Sequence, residues 1–177
     1  MPRVTREQMK KDEEKIIKIL QTKANESIDT IAKQCGFSRQ KAWRIIKRLE
    51  ENNTIWGYHA IVDTEKLKMK TYILLIKGNI QTVKTISDSI LKREAGKLAQ
   101  KMGVTIECSS YIHGPYDWMI TFSAKDTKHA KRFNHLVCKT YSEFIVDTAL
   151  MEEMFPLQKC GFINPDTNKL KEFELFQ

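Results

Sequence analysis

The stretch from Ser38 to Glu51, SRQKAWRIIKRLEE, limits the possible folds of this chain more than any other. Ser38 is a good N-cap, because its hydroxyl can accept a hydrogen bond from a free N–H of the first helical turn. At 3.6 residues per turn, the apolar side chains fall on one stripe: Ala42, Ile45, Ile46 and Leu49. From Arg39 to Arg48 there are five basic residues and no acidic one. The stretch predicts a helix with an apolar back and a basic front.

The basic front has two interpretations, a solvated surface helix or a helix that enters a DNA major groove. The preceding residues favour the second interpretation. Asp12 can cap a first helix, Ser27 can cap the short helix IDTIAKQC, and Gly36 can end it in the left-handed conformation. Helix, short helix, glycine turn and basic helix make a helix-turn-helix pattern. Residues 1–11 are expected to form a frayed end or a basic arm.

Two β-prone arms follow the basic helix, Thr54–Trp56 and Tyr58–Val62, on either side of Gly57. They have the size of a wing or linker strand. We therefore expect residues 1–63 to form a winged helix-turn-helix domain with a linker strand, and residues 64–70 to form a hinge.

The second half of the chain changes its hydrophobic period. Four strands and two helices are expected, in the order βαββαβ of a ferredoxin-like unit over residues 71–155. The expected strands are 71–76, 104–112, 117–123 and 145–151, and the expected helices are 83–102 and 127–140. The first strand is apolar on both faces, from Ile73 to Ile76, so we expect a second sheet to cover it in a homodimer. Residues 156–177 form a tail of undecided structure. The fold class is thus α+β.

Charge is distributed unevenly along the chain. The net charge is +8, and residues 1–70 hold 16 of the 30 basic and 10 of the 22 acidic residues. A polyanion partner is expected at the N-terminal part, and the C-terminal part is not expected to touch it. No segment is apolar and long enough for a membrane span, and the charged N-terminus does not look like a secretory signal. We expect a cytoplasmic, nucleoid-associated protein without membrane contact.

The four cysteines, Cys35, Cys108, Cys138 and Cys160, are far apart and form no CxxC or Cys/His cluster. We expect them to be reduced, buried thiols. His129 and His135 are six residues apart, which is too far for a ligand pair at helical spacing. No metal, cofactor or catalytic group is expected.

These patterns resemble the Lrp/AsnC, or feast/famine, family of transcriptional regulators. The resemblance is carried by IIKIL, by IDTIAKQCGFSRQKAWRIIKRLEENNTIWGYHAIVD and by IHGPYDWMITFSAKD, and it runs from about Asp12 to Met154. It implies a dimer built through the βαββαβ domains that can assemble to tetramers or octamers. It also implies binding of double-stranded DNA through the third helix of each protomer, and in many members an amino acid bound between protomers.

We expect seven residues of the basic helix to contact DNA. Arg39, Gln40, Lys41 and Arg44 lie in its first two turns, where Arg and Lys suit guanine and Gln suits adenine. Phosphate contacts are assigned to Ser38, Lys47 and Arg48, with Lys33 as a further candidate. Trp43 is expected to pack on the first helix. The family usually has Arg where this chain has Ile45, so we expect a different base preference at that position.

The resemblance places an effector site at the turn after the second strand and on the fourth strand. Its candidate residues are His113, Gly114, Tyr116, Asp117 and Thr148. Asp117 can hold an effector amine or can cap its own turn, and both readings stay open. Leu150 stands where the family tends to have a second Thr, which predicts a more apolar effector, or none.

Two alternative functions remain. One is an enzyme on the same scaffold, like the haem-biosynthesis decarboxylases that resemble this family. Such an enzyme would need His or Arg side chains around a tetrapyrrole. The candidates in this chain are His59 and His113. The other is an architectural protein that binds DNA with little sequence choice. The strongly basic helix favours the regulator over the enzyme.

Overall fold

The computed structural model describes residues 5–82, 90, 92–166 and 168. The chain divides into two compact units. One contains Met1–Ile61 and Gln158–Pro165, and the other contains Val62–Leu157 and Asp166–Gln177.

Three helices form the N-terminal unit: α1 spans Arg6–Leu20, α2 spans Ile28–Cys35 and α3 spans Arg39–Glu51. Each begins after a hydroxyl N-cap that accepts a hydrogen bond from the N–H three residues further on. Gly36 ends α2 with a φ of 71°, a conformation that favours glycine. The buried side chains of this unit are Ile16, Ile31, Ala32, Cys35, Ala42, Ile45, Ile46 and Leu49.

The start of α1 differs from the expectation. Thr5, not Asp12, is the N-cap, and Asp12 lies in the middle of the helix with only 3% of its surface exposed. Residues 6–11 have good helix propensity, so the helix extends back to the capping residue Thr5. Residues 6–11 are therefore helical rather than frayed, and residues 1–4 lie outside the described part of the chain.

The expected linker strand does not form in the single chain. Residues 55–63 are neither helical nor in a strand. A strand requires a hydrogen-bonded neighbour, and residues 56–62 make no backbone hydrogen bond to the described residues. The expected hinge contains a short 3-10 helix, Thr64–Leu67, which is capped by Asp63.

The second unit contains a four-stranded antiparallel sheet in the order β2-β3-β1-β4. Its strands are β1 (Lys70–Gly78), β2 (Thr105–Tyr111), β3 (Trp118–Ala124) and β4 (Ile145–Glu152). Two helices accompany them, α4 (Glu94–Lys101) and α5 (Thr127–Thr140). The α+β class with a ferredoxin-like βαββαβ order is confirmed. The first expected helix, 83–102, is not continuous. Residues 92 and 93 form a turn, and Arg93 has a left-handed φ of 53°, which interrupts a right-handed helix, so α4 begins only at Glu94. Residues 83–89 and 91 lie outside the described part of the chain.

The two faces of the sheet differ in burial. On one face, Tyr72, Leu74 and Ile76 of β1 are 0–1% exposed, and they belong to the cluster that includes Phe133 and Val137 of α5. On the other face, Ile73 and Leu75 are only partly buried in the single chain. This second face is called the open face below.

The C-terminal tail begins with a hairpin of two short strands, β5 (Gln158–Lys159) and β6 (Phe162–Ile163). The turn residues Cys160 and Gly161 both have positive φ, 48° and 88°, as the tight turns of two-residue hairpins require. The remaining segment, residues 169–177, lies outside the described part of the chain.

The cysteines are free thiols, as expected, but they are not all buried. Cys35 is buried, Cys138 is half-buried, and Cys108 and Cys160 are exposed. Cys108 lies on β2. Cys160 lies in the turn of the hairpin, and turns run over the surface of a protein.

Candidate nucleic-acid interface

Helix α3 turns one polar face outward. Its buried stripe holds Ile45 and Leu49, at 5% and 2% exposure, against the N-terminal core. The opposite side carries four exposed residues: Gln40, Trp43, Arg44 and Lys47. We call these four residues the reading face. They combine an amide, an indole, a guanidinium and an ammonium group on about two turns of one helix.

The reading face includes Trp43, which was expected to pack on α1. Its side chain is 49% exposed and is not part of the N-terminal hydrophobic cluster. Helical spacing is the reason, since Trp43 lies three residues from Gln40 and four from Lys47 and thus on their side of the helix. The expectation for Ile45 also changes. Because Ile45 is buried, it cannot read a base directly.

The start of α3 is held by two polar contacts. The Ser38 hydroxyl accepts a hydrogen bond from the Lys41 backbone N–H at 3.3 Å. The Arg39 guanidinium donates to the Asp29 carboxylate of α2 at 2.8 Å, and both side chains are more than 60% exposed. An ion pair this exposed contributes about 0–1 kcal/mol, so Arg39 can exchange it for a phosphate at little cost.

Lys41 is directed toward its own domain. Its ammonium lies 2.7 Å from the Asp12 carboxylate and 4.2 Å from the centre of the Phe37 ring. Burial alone would raise the pKa of Asp12, but hydrogen bonds from Lys41 and Gln8, with the charges of Lys41 and Lys15, outweigh it and hold that pKa below its ordinary value. This ion pair ties the first turn of α3 to the middle of α1.

Two further cations of α3 are also paired. Arg48 donates to the Glu13 carboxylate of α1, with Nε at 2.9 Å and the second nitrogen at 2.8 Å from the same oxygen. Lys47 pairs with Glu50 at 3.1 Å on its own helix, and this pair is solvent-accessible. Lys33 on α2 is exposed, and no ion pair joins it to the described residues. Lys41 and Arg48 therefore position α3, whereas Arg44, Lys47, Arg39 and Lys33 remain accessible to a polyanion.

The turn between β2 and β3 holds most of the candidate effector residues. His113 and Gly114 are exposed, and Tyr116 is half-buried. The Asp117 carboxylate accepts a hydrogen bond from the Gly78 backbone N–H at 2.8 Å through Oδ2, and the Asp117 N–H donates to the Ile76 carbonyl. Of the two readings of Asp117, this geometry favours the structural one, since the carboxylate ties the turn to the end of β1.

Thr148 lies at the same end of the sheet as Asp117. It is opposite Ile76 in the register of β1 and β4, and Trp118, the neighbour of Asp117, is opposite Ile76 on the other side. Two strand spacings therefore separate Thr148 from the turn, about 10 Å. The Thr148 hydroxyl accepts a weak hydrogen bond from the Asn134 amide of α5 at 3.4 Å. No sequence pattern points to Asn134, because polar residues are common on an amphipathic helix.

The described residues contain no group of three or more His, Cys, Asp or Glu side chains that could hold a metal ion. Within the same part of the chain, no helix has the length and apolar character to cross a membrane.

Comparisons with known proteins agree with this architecture. A family model described as a winged helix-turn-helix DNA-binding domain matches residues 13–55. No curated protein sequence matches this chain.

Several solved structures have a similar fold over most of their length. An AsnC family transcriptional regulator from Agrobacterium tumefaciens is 20% identical, with a TM-score of 0.61 over 84% of this chain and 92% of that one. A transcriptional regulator from Neisseria meningitidis, solved as a complex with L-Met, is 14% identical, with a TM-score of 0.62 over 89% and 97%. AsnC of E. coli is 14% identical, with a TM-score of 0.58 over 84% and 94%. At these identities the likeness establishes the fold.

Proposed function

We propose that this chain, whose fold is that of the Lrp/AsnC transcriptional regulators, binds specific sites on double-stranded DNA and regulates transcription. The observation that carries the proposal is the reading face of α3, which is exposed, free of acidic residues and braced from behind by ion pairs to α1. Such a helix meets the requirements for insertion into a major groove. Its place of action is then the cytoplasm, at the nucleoid.

Each residue of the helix has a proposed role. Arg44 suits a bidentate contact to guanine and Gln40 suits adenine, while the Trp43 ring can contact a thymine methyl group. Ser38 and Lys47 are assigned to phosphates, which supply affinity and salt dependence. Arg39, first expected to read a base, is now also assigned to a phosphate, because it pairs with Asp29 at the start of the helix. Lys41 and Arg48, first assigned to DNA, are assigned to holding the helix in place.

Self-association is proposed through the open face of the sheet. That face carries an apolar stripe across three strands, in which Ile73 and Leu75 of β1 neighbour Met119 of β3 and Met151 of β4 in the register. A second copy of the sheet would bury these side chains on both sides. We propose a homodimer as the basic unit, from which tetramers or octamers can assemble.

An effector site is proposed at the turn of residues 113–117. Its exposed His113 and Gly114 leave the turn accessible, and Asp117 Oδ1 accepts no hydrogen bond from the described residues, so it can receive an amine. The Neisseria meningitidis structure contains L-Met, which supports an amino acid as the class of ligand. Thr148 is the candidate hydroxyl on β4, and Leu150 makes the neighbouring surface apolar.

The test is selection of bound fragments from random duplex DNA, with and without amino acids, followed by footprinting across a salt series. We expect a protected, sequence-specific site whose affinity falls steeply with salt. Binding without sequence preference would instead indicate an architectural protein. Absence of DNA binding, together with an absorbance band from a co-purified tetrapyrrole, would indicate the enzyme.

A further inference from the structure

A second basic surface lies on α5, in the unit that was not expected to touch a polyanion. Across Thr127–Thr140 the helix holds four Lys or Arg residues, two His and no acidic residue. Its buried side, with Ala130, Phe133 and Val137, belongs to the core of the second unit. We call the polar residues of the opposite side the α5 stripe: Lys128, Lys131, Arg132, His135 and Lys139.

The members of the α5 stripe are aligned. Their spacings of three, four, seven and eleven residues place them within an arc of about 100° on the helix and spread them over about 16 Å along its axis. The first four also line one open groove together with Thr127 and Leu136. The basic side chains of the stripe therefore form one straight row along the helix.

The cations of the stripe have no partner among the described residues. Lys128, Lys131, Arg132 and Lys139 form no ion pair or side-chain hydrogen bond with the described residues. On α3, by contrast, four of the five basic residues are engaged with carboxylates. Like charges three and four residues apart on one helix face destabilise the helix. No acidic side chain of the described residues relieves this repulsion, and an external anion would relieve it.

We propose that the α5 stripe binds the phosphate backbone of the duplex DNA whose bases α3 reads, and so supplies affinity without sequence choice. The inference rests on the proposed function, because that function brings the duplex. Once α3 is bound, α5 stays at high local concentration near the same DNA, because both helices belong to one chain. Lysine and arginine are the side chains that contact phosphates, and each phosphate that they neutralise releases a counterion.

An acidic protein surface is the other candidate occupant of the stripe. Protein interfaces are depleted of lysine at their centre and enriched in aromatic residues. The stripe has three lysines and no aromatic residue, and Leu136 is the apolar side chain of its groove. These features favour a phosphate backbone.

The experiment compares the full-length protein with the variant Lys128→Gln, Lys131→Gln, Arg132→Gln in binding to the selected DNA site across a salt series. The matched control is Lys92→Gln, Lys97→Gln, Lys101→Gln, which removes the same charge from exposed positions on and before α4. We expect the stripe variant to bind more weakly, with a slope of log K against log salt that is smaller in magnitude by about three for each protomer on the DNA, one for each lost phosphate contact. The footprint sequence should not change, and the melting temperature should stay the same or rise, because the variant removes like-charge repulsion from α5. The control should keep the wild-type slope.

The outcomes separate this inference from the proposed function. A stripe variant with the wild-type slope, or a control that loses as much as the stripe variant, would overturn the inference while sequence-specific binding by α3 stands. If no specific site is found, the same comparison on random duplex DNA still decides whether the stripe contacts phosphates. A loss of slope that only the stripe variant shows supports the inference in either case.

Discussion

A carboxylate buried in the middle of a helix is costly unless it is fully compensated. Asp12 is 3% exposed, and it accepts hydrogen bonds from Gln8 at 2.9 Å and from Lys41 at 2.7 Å. Lys41 in turn lies over the Phe37 ring at the start of α3. Asp12 is therefore one of the groups that hold α3 in place on α1, and its contribution can be measured.

We predict that Asp12→Asn lowers the free energy of unfolding by about 1–3 kcal/mol at neutral pH, because it weakens charge-assisted hydrogen bonds. The native pKa of Asp12 lies below its ordinary value of 3.8. The carboxylate therefore stabilises the fold at pH values above the unfolded pKa, and this contribution disappears as the pH falls through the native pKa.

Urea unfolding of both proteins between neutral and acid pH measures the effect. The difference between wild type and Asp12→Asn should shrink below about pH 4. Asp29→Asn is the control, since its ion pair is exposed and its loss should cost at most about 1 kcal/mol. An equal loss in both variants would contradict the role assigned to Asp12.

Gly78 is the second residue on which the candidate sites depend. A Cβ at this position would lie 2.0 Å from the Phe144 ring, which is 3% exposed and cannot move into solvent. The Gly78 N–H also holds the Asp117 carboxylate. We predict that Gly78→Ala destabilises the second unit by about 3 kcal/mol or more through overpacking.

Gly96 offers the matched control for this prediction. It lies within α4, and a Cβ there would meet no atom within 4 Å. Gly96→Ala should therefore stabilise the helix by up to about 1 kcal/mol. Thermal unfolding of the two variants should give shifts of opposite sign, and a mild effect of Gly78→Ala would show that Phe144 can repack.

At the scale of the helices, α3 divides its polar residues between two tasks. We predict that Gln40→Ala and Arg44→Ala each weaken binding to the selected site by about 1–3 kcal/mol and relax the base choice at one position. Their melting temperatures should stay close to wild type, because both side chains are exposed. Selection from random duplex DNA, repeated with each variant, measures the change.

Lys41→Met is the counterpart on the same helix. It should lower the melting temperature, since it leaves Asp12 buried without its cation, and it should keep the selected sequence unchanged. If Lys41→Met altered the base preference while Arg44→Ala did not, the assignment of the two residues would be reversed.

The elements that the sequence predicts well are those set by local signals. Ser27, Gly36 and Ser38 fix the ends of α2 and α3 through contacts within a few residues, and both helices start and end as expected or within one residue. The four strands follow from apolar runs, and the resemblance to the Lrp/AsnC regulators is confirmed for the fold. Their bounds differ from expectation by a few residues at most.

What the sequence did not predict depends on contacts between distant residues. Lys41 and Asp12 are 29 positions apart, and Arg48 and Glu13 are 35 apart, so no local pattern shows that these cations are already paired. The β-prone segment after α3 lacks a partner in the single chain and forms no strand. The α5 stripe is hidden in the sequence for a different reason. Its positive charge is cancelled in the net charge of the second half by acidic residues elsewhere.

At the scale of the whole molecule, the open face of the sheet is an apolar surface that a single chain does not fully bury. Ile73 and Leu75 are partly exposed, Met151 is 44% exposed, and their strand neighbours contribute further apolar atoms. Apolar patches of this kind mark interaction sites. A regulator that reads two half-sites also needs two copies of α3 held at a fixed distance.

We predict that Leu75→Asp converts the proposed homodimer to a monomer, because a second sheet would have to bury an unpaired carboxylate. Sedimentation equilibrium should give the mass of one chain for this variant and of two or more for wild type. The control is Leu67→Asp, which places the same charge on a side chain that is 62% exposed in the 3-10 helix and should leave the mass unchanged.

Since Leu75 already meets solvent in the single chain, the Leu75→Asp variant should still fold. Its DNA affinity should fall because each half-site then binds independently. A dimeric Leu75→Asp protein would instead place the subunit contact on another surface.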